Sequence, residues 1–175
     1  NNYSDPKLCV GSLQEIPFAD NTFDLIMTSH ALEPNGGDEQ KILQELFRVS
    51  ADVVALFEPS YEFADERGKQ RMTEKGYIKH LDQVAESVGF EVLYYQKLTT
   101  AINPQNPTAA LILRKPQTEN ITLPTEKYAC PRTKTALKAQ EGGYFSEDSF
   151  LFYPVVSGTP ILRSAHGVLA SGMYK

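Results

Sequence analysis

Hydrophobic positions in this chain fall into short continuous runs and helical periodicities, and their alternation predicts strand–helix–strand units. Lys7 to Val10 is a short run closed by Gly11-Ser12, readable as a strand end. Phe23 to Thr28 (Phe-Asp-Leu-Ile-Met-Thr) is nearly all apolar, the pattern of a strand buried in a parallel sheet. From Glu39 to Ser50, Ile42, Leu43, Leu46, Phe47 and Val49 recur at helical spacing, with charged and amide residues on the other side. Asp38 stands where an N-cap belongs. Asp52 to Phe57 is a second buried-strand run, ended by Glu58-Pro59-Ser60. Strand, helix and strand with short connections make a right-handed parallel crossover.

Further along, Glu62 to Gly76 is charged and helical in type, with a narrow apolar face. Ile78 to Val88 is a better amphipathic helix, with Gly89 placed to end it. Glu91 to Leu98 and Thr108 to Arg114 read as strands joined by a loop containing Asn103, Asn106 and Pro107. Together these predict an α/β fold whose sheet is mostly parallel with an antiparallel edge pair. Residues 116–126, with Pro116 and Pro124, read as a linker. Beyond it the texture changes to short strands at 128–131, 142–145, 150–156 and 158–162, then a frayed tail from Gly167. The division expected is 1–115 for the α/β domain and 127–175 for a small β-rich domain.

Composition narrows the function classes. The chain has 175 residues, 41% hydrophobic and 22% charged, with a net charge of −5. That is ordinary for a globular protein with one substantial core and a small appendage. Nucleic-acid binding draws on basic patches, so the acidic balance favours a small-molecule partner over RNA or DNA. Only Cys9 and Cys130 are present, far apart and without a CxxC pair, which argues against a disulfide framework and against zinc. No apolar run approaches the roughly 20 residues of a membrane span. The amino terminus has no signal-peptide pattern and no initiator Met. A cytoplasmic chain, processed or a fragment, is expected.

Gly11-Ser12-Leu13, Ile16-Pro17-Phe18, Asp20-Asn21-Thr22-Phe23-Asp24 and Ser29-His30-Ala31-Leu32-Glu33-Pro34 follow one another at set spacings, and Glu45-Leu46-Phe47-Arg48-Val49 closes the helix. Over about the first 115 residues this order resembles the second half of a class I, Rossmann-like S-adenosylmethionine-dependent methyltransferase. The family's motifs run Gly-Asp-Ala, Leu-Pro-Phe, Asp-x-x-Phe-Asp, Ser-His-x-Leu-Glu-His and Glu-x-x-Arg-Val.

The resemblance implies a cofactor pocket at the carboxyl ends of the strands, where open α/β sheets bind ligands. Gly11, Ser12 and Leu13 would lie on the adenine side, with Ser12 where the family often has Asp. Thr28, Ser29 and His30 would flank the methionine part. No G-x-G occurs in the chain. The fold is therefore expected to be incomplete at its amino end, with only a partial S-adenosylmethionine site.

A second resemblance lies in the tail. Cys130-Pro131-Arg132-Thr133, with Tyr153-Pro154-Val155-Val156-Ser157-Gly158-Thr159-Pro160, is similar to small zinc-ribbon-like activators of methyltransferases. Thr133 stands at the second ligand position, and one thiolate does not close a tetrahedral zinc site, so a ribbon-like fold without metal is expected.

His30 and Glu58, each following a strand, are the candidate catalytic residues. Either would serve as a base toward a hydroxyl acceptor, and each has a plain alternative as a loop or helix cap. The acceptor expected is a small molecule or glycan. Three readings stay open: a methyltransferase completed by a segment outside this chain, a non-catalytic binding module, or an accessory subunit of another methyltransferase. A protein partner or a second copy fits any of them.

Overall fold

A computed structural model of the chain describes residues 7–100, 103, 105–117 and 123–173. The middle of the expected linker, part of the Asn103–Pro107 loop and the last two tail residues lie outside that set. Contacts divide the chain into two compact units. Asp20–Leu123 is one, and the described residues up to Ala19 join those from Pro124 onward in the other. This differs from a continuous 1–115 domain. The cause is backbone pairing: Val10 bridges Ile161 in parallel, and the Ala129 amide donates to the Pro17 carbonyl.

The Asp20–Leu123 unit runs β1 (Phe23–Ser29), α1 (Glu39–Val49), β2 (Ser50–Pro59), α2 (Glu66–Glu74), α3 (Leu81–Val88), β3 (Glu91–Lys97) and β4 (Thr108–Arg114). Its sheet order is β1-β2-β4-β3. Only β1 and β2 pair in parallel; β4 is antiparallel to both of its neighbours. The sheet is thus mixed rather than mostly parallel, and the expected antiparallel edge pair is β4 with β3, β3 being the outer strand. Side-chain chemistry explains the order. Ala109, Ala110, Leu111 and Leu113 of β4 are buried, whereas β3 carries Glu91, Gln96 and Lys97, exposed charges and amides that suit an edge.

The core joins Ile42, Leu43, Leu46 and Val49 of α1 to Val54 and Leu56 of β2, Ala85 of α3, and Leu111 and Leu113 of β4, all essentially fully buried. Expected as a buried strand, β1 is instead largely exposed. Leu25 is 62% and Met27 70% accessible, while Thr28 on the opposite side is buried. Among the described residues β1 pairs with β2 alone, so it is an edge strand with one uncovered face.

Helix ends follow local chemistry. Asp38 flanks α1 but makes no side-chain capping bond. Asp65 caps α2, its carboxylate accepting from the Gly68 amide at 2.7 Å. The charged stretch forms a helix only from Glu66, and α3 begins at Leu81 rather than Ile78, because His80 adopts a left-handed conformation (φ 53°). Gly89 ends α3 as expected: at φ +115° its amide reaches the carbonyls of Ala85 and Glu86. No helix among the described residues is long and apolar enough to cross a membrane.

In the other unit, β5 (Lys138–Gln140), β6 (Gly143–Ser146), β7 (Leu151–Val156) and β8 (Thr159–Pro160) pair antiparallel in order, and β9 (Val168–Leu169) adds to β7. The segment expected to fray is therefore partly a strand, and β5 carries no hydrophobic signal that would announce it. Cys130, Leu137, Leu151, Tyr153 and Leu162 form its small core, with Cys9, Tyr128 and Tyr144 packed against it.

Candidate functional site

Parallel pairing of β1 and β2 brings their carboxyl ends together, with Ser29 opposite Phe57. The His30 amide donates to the Phe57 carbonyl at 3.0 Å, and the chain then turns away through a left-handed residue, His30 itself at φ 51°. A non-glycine residue in this region costs on the order of 1–3 kcal/mol unless its surroundings hold it. Here Glu58 holds it.

Glu58 is 5% exposed, and its carboxylate accepts from the Thr28 hydroxyl at 2.8 Å and from the Ala31 and Leu32 amides at 3.1 Å each. The residue expected to face an acceptor thus faces the backbone of its own chain. It fixes the turn that carries His30. Thr28, expected beside the cofactor, spends its hydroxyl on Glu58, while Ser29 and His30 remain exposed.

The His30 ring lies between two partners. Nε2 is 3.1 Å from the Thr108 hydroxyl, and Nδ1 is 3.5 Å from a carboxylate oxygen of Glu33. The Tyr77 phenol donates to Glu33, and this bond, more than burial, raises its pKa. Arg71 approaches the Tyr77 hydroxyl at 3.3 Å and also donates to Asn106 at 2.7 Å, which ties α2 to the loop before β4. Glu33 was legible as the residue three beyond His30. Thr108 was not, because nothing in the sequence relates it to a residue 78 positions earlier.

Glu62 organises a second cluster. It accepts from the His80 amide at 2.7 Å, the Tyr95 hydroxyl at 2.8 Å and the Ser60 hydroxyl at 2.9 Å. Burial opposes its ionisation, but these bonds prevail and hold the carboxyl below its usual range. Burial also pushes the Tyr95 phenol well above its ordinary value. Tyr95 thus faces inward, while Tyr94 beside it is exposed. The cavity lined by Glu33, Glu58, Ser60, Glu62, Tyr77 and Tyr95 measures about 20 Å³, room for one water and not for an acceptor.

Gly11, Ser12 and Leu13 belong to the other unit. A Cβ at Gly11 would meet the Pro17 ring at 3.0 Å. Ser12 closes a tight turn: its hydroxyl accepts from the Gln14 amide at 3.3 Å and its carbonyl from the Glu15 amide at 3.1 Å. Leu13 is half-buried. The six residues expected to hold S-adenosylmethionine are therefore split between two units, and the hydroxyls of Ser12 and Thr28 are engaged internally.

Among the described residues, no group of three or more His, Cys, Asp or Glu side chains is placed to hold a metal. Cys130 is fully buried, with Sγ 3.4 Å from the Tyr153 hydroxyl and 3.5 Å from that of Ser149. Burial raises the thiol pKa, but hydrogen bonds from Ser146, Thr133, Tyr153 and Ser149 outweigh it and bring it to about 6, against an ordinary 9.0. A thiol lowered by folding adds stability that is complete above its unfolded value and is lost as pH falls through its folded one. Stability is therefore expected to rise between pH 6 and 9, by roughly 1–3 kcal/mol, and Cys130→Ser to abolish that rise. Denaturant titrations across the range, with thiolate ultraviolet absorbance, measure it. A pH response identical in the variant would refute the assignment.

Comparison with known proteins gives one family match: residues 1–57 match the model described as a methyltransferase domain. No curated protein matches. Among solved structures, a putative sarcosine dimethylglycine methyltransferase from Galdieria sulphuraria is 17% identical, with a TM-score of 0.47, over 60% of this chain and 57% of that one. An S-adenosylmethionine-dependent methyltransferase from Methanosarcina mazei is 19% identical, with a TM-score of 0.46, over 59% and 64%. Magnesium protoporphyrin IX methyltransferase from Synechocystis PCC 6803, with S-adenosylhomocysteine bound, is 11% identical, with a TM-score of 0.45, over 60% and 49%. This chain thus spans less than two thirds of each of those chains.

Proposed function

We propose that this chain is part of an S-adenosylmethionine-dependent methyltransferase acting on a small-molecule or glycan-type acceptor. The observation that carries the reading is the match of residues 1–57 to a methyltransferase domain. That segment includes β1 and the exposed Ser29 and His30 at its carboxyl end, the place where open α/β sheets present ligands. The acidic net charge of −5 supports a small acceptor over a nucleic acid.

In this reading the described residues contribute on the acceptor side. His30 is the catalytic residue, and Glu58 is a positioning residue, since its oxygens are occupied by the turn that carries His30. No G-x-G occurs among these 175 residues, so the reading requires that another segment grip the cofactor. Alignment of donor and acceptor is the protein's largest contribution to such a transfer, and a rigid turn suits that task.

Calorimetric titration of the full-length protein with S-adenosylmethionine tests the reading. A saturable heat with micromolar affinity is expected. The alternative, a non-catalytic module or accessory subunit, is favoured by the internal engagement of Ser12 and Thr28, and it predicts no heat. A flat titration would establish that alternative and overturn methyl transfer.

A further inference from the structure

We propose that Glu33, His30 and Thr108 form a carboxylate–imidazole–hydroxyl relay in which Nε2 of His30 deprotonates an acceptor hydroxyl, so that the acceptor is an alcohol or phenol rather than an amine. The proposal rests on the methyl-transfer reading and deepens it. Its basis is the placement of one exposed imidazole between a carboxylate on Nδ1, at 3.5 Å, and a hydroxyl on Nε2, at 3.1 Å. A neutral imidazole has one donor and one acceptor nitrogen, and the group beside each decides which is which. A carboxylate only accepts, so the Glu33 charge 3.5 Å from Nδ1 favours the tautomer with the proton on Nδ1. Nε2 is then the acceptor, and the Thr108 hydroxyl donates to it.

Every member is held from behind. Tyr77 donates to Glu33, and Arg71 holds both Tyr77 and Asn106. Glu58 fixes the left-handed turn at His30, and Thr108 opens β4 in register with Pro59 of β2. The His30 side chain is 44% exposed. An incoming hydroxyl therefore finds Nε2 accessible and already accepting from a group of its own chemistry, which it replaces. A base oriented by a neighbouring carboxylate is a common way to activate a hydroxyl.

In the proton step the O–H bond breaks and its electron pair stays on oxygen, which becomes the nucleophile. The proton bonds to Nε2, and the imidazolium cation is balanced by Glu33. A neutral amine already carries the lone pair that attacks and has no use for the relay. Glu33 and Thr108 act through His30 and are positioning residues.

Long-range proton–nitrogen NMR on the full chain reads the tautomer without any methyl transfer. The wild type is expected to carry the proton on Nδ1, Glu33→Gln to move most of it to Nε2, and Thr108→Val to perturb the Nε2 resonance, with Thr108→Ser restoring it. A wild-type Nε2–H, or a Glu33→Gln tautomer unchanged in folded protein, overturns the relay. Phenol and aniline, near-isosteric probes, then test the acceptor class. Phenol is expected to shift the Nε2 resonance at millimolar concentration and aniline at least tenfold less; equal shifts overturn the hydroxyl assignment. These readouts are independent of cofactor. A flat S-adenosylmethionine titration with the tautomer response intact therefore defeats the methyl-transfer reading alone, and a bound cofactor with the wrong tautomer defeats the relay alone.

Discussion

Replacing Glu58 with alanine is expected to destabilise the Asp20–Leu123 unit by about 3 kcal/mol. The carboxylate is 5% exposed and receives three hydrogen bonds, two of them from backbone amides that have no other described acceptor. Truncation leaves the Thr28 hydroxyl and both amides facing a gap, and each buried unsatisfied donor costs about 1–3 kcal/mol before water or local relaxation compensates. Glu58→Gln is the sharper variant. Oε1 serves Thr28 and Ala31 while Oε2 serves Leu32, so either orientation of the amide sets its NH2 against a donor. A loss of about 2 kcal/mol is expected even though size is preserved. Denaturant unfolding gives the magnitude, and hydrogen exchange at Ala31 and Leu32 gives the location. Unchanged exchange at those two amides would show that Glu58 does not hold the turn.

Lys115→Met is expected to cost about 2–3 kcal/mol, and for a different reason. The Lys115 ammonium donates to the Asn21 side-chain oxygen at 2.7 Å, the Phe47 carbonyl at 2.8 Å and the Ser50 carbonyl at 3.0 Å. It also lies 4.7 Å above the Phe47 ring. Phe47 and Ser50 stand at the carboxyl end of α1, where carbonyls lack helical partners and a cation is favoured. Methionine keeps the apolar stem and the volume, so the measured difference isolates the charge and its hydrogen bonds. Thermal unfolding in low and high salt is the measurement. Salt is expected to change the gap little, because the ammonium is part-buried and bonded directly. A gap that vanishes in high salt would mean a screened surface charge instead.

Most elements of the α/β unit were legible from periodicity. The run Thr-Ala-Ala-Leu-Ile-Leu-Arg is β4 residue for residue, and the stripe of Ile42, Leu43, Leu46 and Val49 is the buried face of α1. Periodicity reports whether a segment has an apolar side, and it reports nothing about what covers that side. That is why β1 was expected inside the sheet and emerged at its edge with Leu25 and Met27 exposed. Adjacency along the chain also suggested an antiparallel edge pair of β3 and β4, and that pair does end the sheet, with the more apolar β4 on the β2 side. Backbone strain at His80 was also invisible, because a left-handed residue there depends on Glu62, 18 positions earlier, accepting its amide.

The candidate site divides along the same line. Residues close in sequence were found together: Thr28, Ser29 and His30 do stand at the end of β1, with Glu33 three residues on. What the sequence determined by itself is therefore local: which segments are strands or helices, and which short motif ends a strand with an exposed imidazole. Only the tertiary structure decided the rest. It set Glu58 inward against three donors, placed Thr108 on the imidazole, and joined Gly11, Ser12 and Leu13 to the unit containing the tail. Hydrophobic period is a property of a few consecutive residues. The partner of a buried carboxylate or of a ring nitrogen is chosen by sheet pairing and burial, which bring together residues that no spacing along the chain connects.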